Sequence, residues 1–258
     1  MAFSPDTRWM TGAPARTADA AVVDAGLRSY MLRVYNWMAS GLLLTGIVAL
    51  FVANTPAVLE LFYQRIVTPQ GVFAGPTLLG WAAILSPLAF VMVLSFGVNR
   101  LSTRAAQGLY WAFAAVMGLS LANIFIIYTG ASIARVFFIT AGTFALTSAW
   151  GYTTKRDLTK MGSFLMMGLI GIILASLVNM FIGSTALQFA VSVIGVVVFV
   201  GLTAWDSQRI KNDYIDTIQY AGMDIAAKRS VFDALALYLN FINLFQLLLS
   251  FMGQRQSE

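Results

Sequence analysis

The chain contains no cysteine and no histidine, and only 10% of its 258 residues are charged. The first absence excludes disulfides, thiol catalysis and thiolate metal sites. The second removes the imidazole that serves most hydrolases as general base or metal ligand. With 59% hydrophobic residues and a mean hydropathy of +0.78, the sequence has too little polar surface to coat a water-soluble domain. The start of the chain lacks a signal-peptide pattern: Asp6, Pro14, Asp19 and Asp24 fall within it and no short apolar run precedes a cleavage site, so the first apolar span is expected to persist.

What fills the chain instead is apolar sequence of bilayer length. A hydrocarbon core about 30 Å thick requires roughly 20 apolar residues of helix. Seven stretches qualify as expected spans: Arg33–Asn54, Leu79–Val98, Ala106–Tyr128, Ala134–Trp150, Met161–Ile182, Leu187–Trp205 and Val231–Met252. The expected fold is therefore an all-α membrane protein, a seven-transmembrane-helix bundle over residues 29–253. A polar, mobile segment (1–28) precedes it, its Ala-rich end able to form a surface helix, and a short tail (254–258) follows.

The net charge of +5 reports topology rather than nucleic-acid binding. Basic residues cluster on alternate connections: Arg8, Arg16, Arg28 and Arg33; Arg100 and Arg104; Lys155, Arg156 and Lys160; Arg209, Lys211, Lys228 and Arg229. The opposite side has only Arg65, Arg135 and Arg255. Cytoplasmic loops are enriched in Lys and Arg, so the N-terminus is expected inside and the C-terminus outside.

Small residues recur every four positions at Ala114, Gly118 and Ala122, at Ala141, Ala145 and Ala149, and at Gly171 and Ala175. That spacing predicts close helix packing. Pro87 should kink the second span. Val58–Phe62 suits a short interfacial helix inside the long loop Thr55–Thr77.

Ionisable residues inside a membrane are costly and draw functional attention. Asp206 directly follows the sixth span. There either the helix continues past the membrane and Asp206 pairs with Arg209 or Lys211 in water, or Asp206 acts as a titratable group at the mouth of the bundle. Ser230-Val231-Phe232-Asp233 has the spacing of a capping box, which gives Asp233 a structural explanation at the start of the last helix. Asn240 lies seven residues beyond Asp233, about 10 Å deeper on the same face, and Asn243 follows one turn later. An amide in hydrocarbon is expensive, so this striped face should turn inward.

Two strings carry a resemblance: Trp205-Asp206-Ser207-Gln208-Arg209-Ile210-Lys211, and Ala234-Leu235-Ala236-Leu237-Tyr238-Leu239-Asn240-Phe241-Ile242-Asn243-Leu244-Phe245. Together they resemble the signature end of the transmembrane Bax inhibitor motif family, whose members carry a "Y-D-x-x-x-I" segment and an "L-Y-L-D-F-I-N-L-F" helix. The resemblance implies a bundle wrapped around a central last helix and a bacterial inner-membrane location. It also implies a passive, pH-sensitive Ca²⁺ leak latched by two aspartates, with an arginine at the end of the second span linked to them. By motif position the first aspartate is Asp206 and the arginine is Arg100. Asn240 stands where the second aspartate belongs. Two adjacent carboxylates cannot both ionise easily, whereas an amide does not titrate, so altered pH gating is expected. Asp233 is an alternative second carboxylate, and Ile215–Ala227 reads as an insertion between the two motifs.

Three functions compete. The first is a cation pathway along the seventh span with Asp206, Asn240, Asp233, Arg100 and Asn243 as its residues. It needs no cofactor, and Ca²⁺ is the transported ion. The second is a regulator that binds a membrane quality-control protease through residues 1–28. The third, an enzyme, is not expected, because the sequence has neither the Gly-x-Gly-Asp string of intramembrane aspartyl proteases nor a histidine for a Ser–His dyad. The expected partners are the bilayer, Ca²⁺ and a membrane protease, with no nucleic acid.

Overall fold

A computed structural model describes residues 13–68, 71–97 and 100–256. It is all-α apart from one hairpin, in the order α1 (Ala13–Asn54), α2 (Pro56–Phe62), β1 (Tyr63–Thr68), β2 (Gly71–Pro76), α3 (Leu78–Gly97), α4 (Thr103–Leu121), α5 (Ile124–Ile127), α6 (Gly130–Thr153), α7 (Thr159–Ile182), α8 (Thr185–Asp216) and α9 (Met223–Met252). Among the described residues six helical segments are long and apolar enough to cross a membrane: Val22–Asn54, Thr103–Ile127, Gly130–Thr153, Thr159–Ile182, Thr185–Tyr220 and Met223–Met252. The second expected span is represented by α3, whose apolar stretch Leu78–Leu94 is shorter. Pro87 lies inside it, and Val98 falls outside the described residues.

Helix ends follow local chemistry. Ser102, Thr129 and Ser184 each accept a hydrogen bond from a backbone N–H in the first turn of α4, α6 and α8. Gly183 closes α7 in the left-handed conformation at φ 68°, where a side chain would be strained. The short helix expected at Val58–Phe62 is α2, started by Pro56. It leads into an antiparallel hairpin in which Tyr63 faces Pro76 and Thr68 faces Gly71, a feature the loop composition did not announce.

Several elements extend beyond the ends that loop composition suggests. The Ala-rich end of the first segment is helical from Ala13, as its composition allowed, but it continues into the first span with Leu27 buried in the main core; residues 1–12 lie outside the described residues. Helix α8 runs ten residues past Asp206, and with a 3-10 turn at Ile218–Tyr220 and the start of α9 it absorbs almost all of the supposed insertion Ile215–Ala227. The tail is tied down, with Thr129 N–H donating to Gln254 O and Gln256 N–H to Ile127 O. Charge density misled here. Polar residues at the end of an apolar run read as a loop, although a helix continues readily once it leaves hydrocarbon.

Close packing concentrates where glycine meets a neighbouring backbone or ring. A Cβ at Gly118 would stand 2.7 Å from Thr45 O of α1, one at Gly151 would enter the Ala204 backbone of α8, and one at Gly162 would enter the Trp205 indole. The stripe on α4 therefore packs as expected, with Ala114 and Ala122 fully buried. The other two stripes do not: Ala145, Ala149 and Gly171 are exposed. Helix α9 packs against α1, α4, α6 and α8, and half of its most apolar window is buried against 11% for α7, which packs mainly on α8 and turns the rest of its surface outward.

Candidate functional site

The buried polar groups of α8 and α9 converge at the end of the bundle where those two helices are joined. Asp206 stands well inside α8 and is 7% exposed. The helix thus continues past Asp206 and pairs it with Arg209, as one of the two expectations had it, although the pair is buried rather than in water. Both of its oxygens are engaged. Asn240 Nδ2 donates to Oδ2 at 2.7 Å, and Arg209, one turn on, reaches Oδ1 at 2.7 Å. Asn240, 6% exposed, thus meets the neighbouring helix through the amide that stands at the motif's aspartate position. A charge-assisted hydrogen bond of this kind contributes about 1.5–3 kcal/mol, and an unpaired buried carboxylate would cost more.

Asp233 also departs from its expected setting. Helix α9 begins at Met223 behind Gly222, so Ser230 and Asp233 lie in its interior and form no capping box. Ser230 Oγ donates instead to Ala227 O of its own helix. Asp233, 2% exposed, accepts a 2.5 Å hydrogen bond from Tyr30 of α1, and Arg229 Nε stands 3.9 Å from its second oxygen. Arg229 also reaches Asp213 of α8 at 3.3 Å, and the Tyr30 ring packs against Tyr214 with centroids 5.1 Å apart. Helices α1, α8 and α9 are therefore tied together by three carboxylates: Asp206 pairs with Arg209, while Asp213 and Asp233 share Arg229.

Arg100 is exposed and is not among the groups in ion-pair range of Asp206 or Asp233; Arg209 and Arg229 hold those places. Asn243 is half-buried and donates to Leu239 O of its own helix. The structure thus brings Asp206 and Asn240 together, assigns Asp233 to a separate tie, and leaves Arg100 and Asn243 outside both.

Sequence reasoning missed the hydroxyls. Tyr35 and Ser148 lie 2.6 Å apart and Ser148 and Ser207 2.7 Å, a chain that joins α1 to α6 and α8 beside Asp206. Deeper, Thr45 lies 2.7 Å from the Tyr238 hydroxyl and donates to Ala114 O, tying α1, α4 and α9. Single hydroxyls on apolar helices carry little signal, because each can bond its own helix backbone, as Thr203 does with Phe199 O. Gln208 fastens the α6–α7 turn: its Oε1 accepts from Leu158 N–H and its Nε2 donates to Arg156 O.

A family pattern described as "Inhibitor of apoptosis-promoting Bax1" matches residues 27–257. The inner membrane protein YbhL of Escherichia coli K12 is 48% identical over 234 residues, covering 90% of this chain and 94% of that protein. An uncharacterised protein of Rickettsia prowazekii is 45% identical over 241 residues, 93% of this chain and 95% of its own. One from Caulobacter vibrioides is 46% identical over 241 residues, 93% and 94% of the two chains.

Proposed function

The chain belongs to the Bax inhibitor family, and from that membership we propose that it is a multi-pass inner-membrane protein that passes cations, Ca²⁺ foremost, down their gradient. In this reading α3 completes a seven-helix bundle around α9, the N-terminus is cytoplasmic and the C-terminus is external. The protein is not an enzyme and uses no cofactor. Oxygen-rich groups suit a hard cation, and the pathway follows α9.

One observation carries the mechanism. The carboxylate of Asp206 is held shut from both sides, by Asn240 of α9 and by Arg209 of its own helix. The contact joins α8 to α9 at the cytoplasmic end of the proposed pathway, so breaking it separates the helices that close the mouth. Asp233, bonded to Tyr30, braces α1 against the same end. Because Asn240 does not titrate, the closure lacks the shared proton of a carboxylate pair, and pH gating is weaker than in a two-aspartate latch.

Ca²⁺ entry into proteoliposomes holding the full chain, measured from pH 6 to 8, tests this reading. Flux above that of protein-free vesicles is expected, with a shallow pH dependence; flux equal to empty vesicles at every pH ends it. Asn240→Asp places a second carboxylate against Asp206, and the pair then titrates as a unit. Its flux–pH curve should steepen between about pH 6 and 8. An unchanged curve would remove Asn240 from the closure.

A further inference from the structure

We infer that the cleft between α1 and α6 is a binding site for one zwitterionic phospholipid of the phosphatidylethanolamine type. These helices face one another without packing along their length. Among the described residues a single hydrogen bond, Tyr35 to Ser148, crosses between them. The gap is a cavity of about 860 Å³ floored by Phe144 and by Phe241 of α9. A second cavity, of about 590 Å³, continues the cleft on the far side of Phe241.

The lining sorts by depth as an amphiphile does. On α1 the cleft-facing seam runs Asp24, Arg28, Met31, Tyr35 and Met38, charged at one end and apolar at the other. From Arg28 to Met38 is ten residues, about 15 Å of helix. That is half of a hydrocarbon core about 30 Å thick, the depth of one leaflet. On α6 the opposite wall is Ala141, Ala145 and Ala149, small residues at four-residue spacing; Ala145 and Ala149 are exposed and leave room for a chain. Their spacing predicts helix packing, and here it makes a wall.

The order of charges selects the headgroup. Arg28 sits nearer the apolar body, where a phosphate lies, and a guanidinium matches phosphate geometry. Asp24 sits one turn further out, where the ammonium of a zwitterionic headgroup lies. Both side chains are exposed, and neither forms an ion pair among the described residues. Phosphatidylglycerol would place the same phosphate on Arg28 but a neutral glycerol beside Asp24, leaving that carboxylate without the cation that an ammonium supplies.

The test is native mass spectrometry of the full chain in delipidating detergent, with equimolar phosphatidylethanolamine and phosphatidylglycerol of matched chains. The parent should retain one phosphatidylethanolamine in preference by up to about fivefold, the factor that one charge pair at a membrane surface sets. Ala145→Trp fills the cleft and should lose the bound lipid. Asp24→Lys, at an exposed position on which no packing depends, should reverse the headgroup preference and keeps the test decisive if Ala145→Trp fails to fold. Equal retention of both lipids by the parent overturns the inference, as does undiminished binding in folded Ala145→Trp. So does a parent dimer that becomes monomeric in Ala145→Trp, which would place a second copy of the chain in the cleft. None of these outcomes depends on ion flux, so the inference fails or stands apart from the proposed pathway.

Discussion

At the scale of single residues, the Tyr30 hydroxyl donates to a carboxylate that is 2% exposed, 203 positions away along the chain. Removing only that hydroxyl leaves Asp233 with Arg229 at 3.9 Å as its remaining partner. Tyr30→Phe should therefore destabilise the protein by about 1.5–3 kcal/mol, the range for a hydrogen bond to a charged group. Chemical unfolding in detergent measures this, and an unchanged midpoint would mean that the bond contributes nothing net. Asp206 and Asn240 were legible because an ionisable group and an amide stand out from hydrocarbon. Tyr30 was not, since a tyrosine at the head of an apolar run is equally at home in an interfacial belt. Arg100 was assigned by its place after the second span, yet Arg209, three residues from Asp206, supplies the charge. A local i,i+3 pair needs no tertiary guess, and the sequence carried it in plain view.

At the scale of elements, the α6–α8 contact depends on Gly151, where any Cβ would enter the Ala204 backbone. Gly151→Leu should cost about 1–3 kcal/mol or more, because neither helix backbone can retreat without opening the bundle. The same substitution at Gly171, with nothing within 4 Å of a built Cβ, should be nearly silent. Comparing thermal midpoints of the two variants separates packing from helix propensity; equal midpoints would refute the contact. Spacing alone flagged Gly171 and passed over Gly151, because periodicity shows that a helix has a small face and not whether another helix lies against it. Asp157, in the turn before α7, accepts a hydrogen bond from Thr159 N–H at 2.9 Å, and Thr159 holds its carboxyl below the usual range. A folded-state value below the unfolded one gives stability above the unfolded pKa that disappears as pH falls through the folded one. The parent should thus be slightly more stable than Asp157→Ala at pH 7, with the gap closing below the carboxylate range. A gap that persists or grows in acid would contradict the assignment.

At the scale of the whole molecule, apolar length made six of the seven expected spans plain as helices long enough to cross a membrane, while the second is a shorter apolar helix. Helix ends were less plain. The outer turns of α1, α8 and α9 carry charges that hydropathy discards, although Asp24, Arg28, Asp213 and Arg229 lie within those helices. Those turns matter, because the ties among α1, α8 and α9 are built from them. Lateral gaps such as the α1–α6 cleft were invisible, since a seam that faces a cavity and one that faces a helix have the same period.

Closure of the proposed pathway depends on the contact between α8 and α9, and Ca²⁺ flux through Asp206→Asn beside the parent tests it most directly. With the carboxylate gone, Arg209 loses its partner and the closed state loses a charge-assisted bond of about 1.5 kcal/mol or more. Flux should rise by about tenfold and its pH dependence should flatten. A variant whose flux and pH profile overlay those of the parent would show that Asp206 and Asn240 hold the bundle together without closing anything.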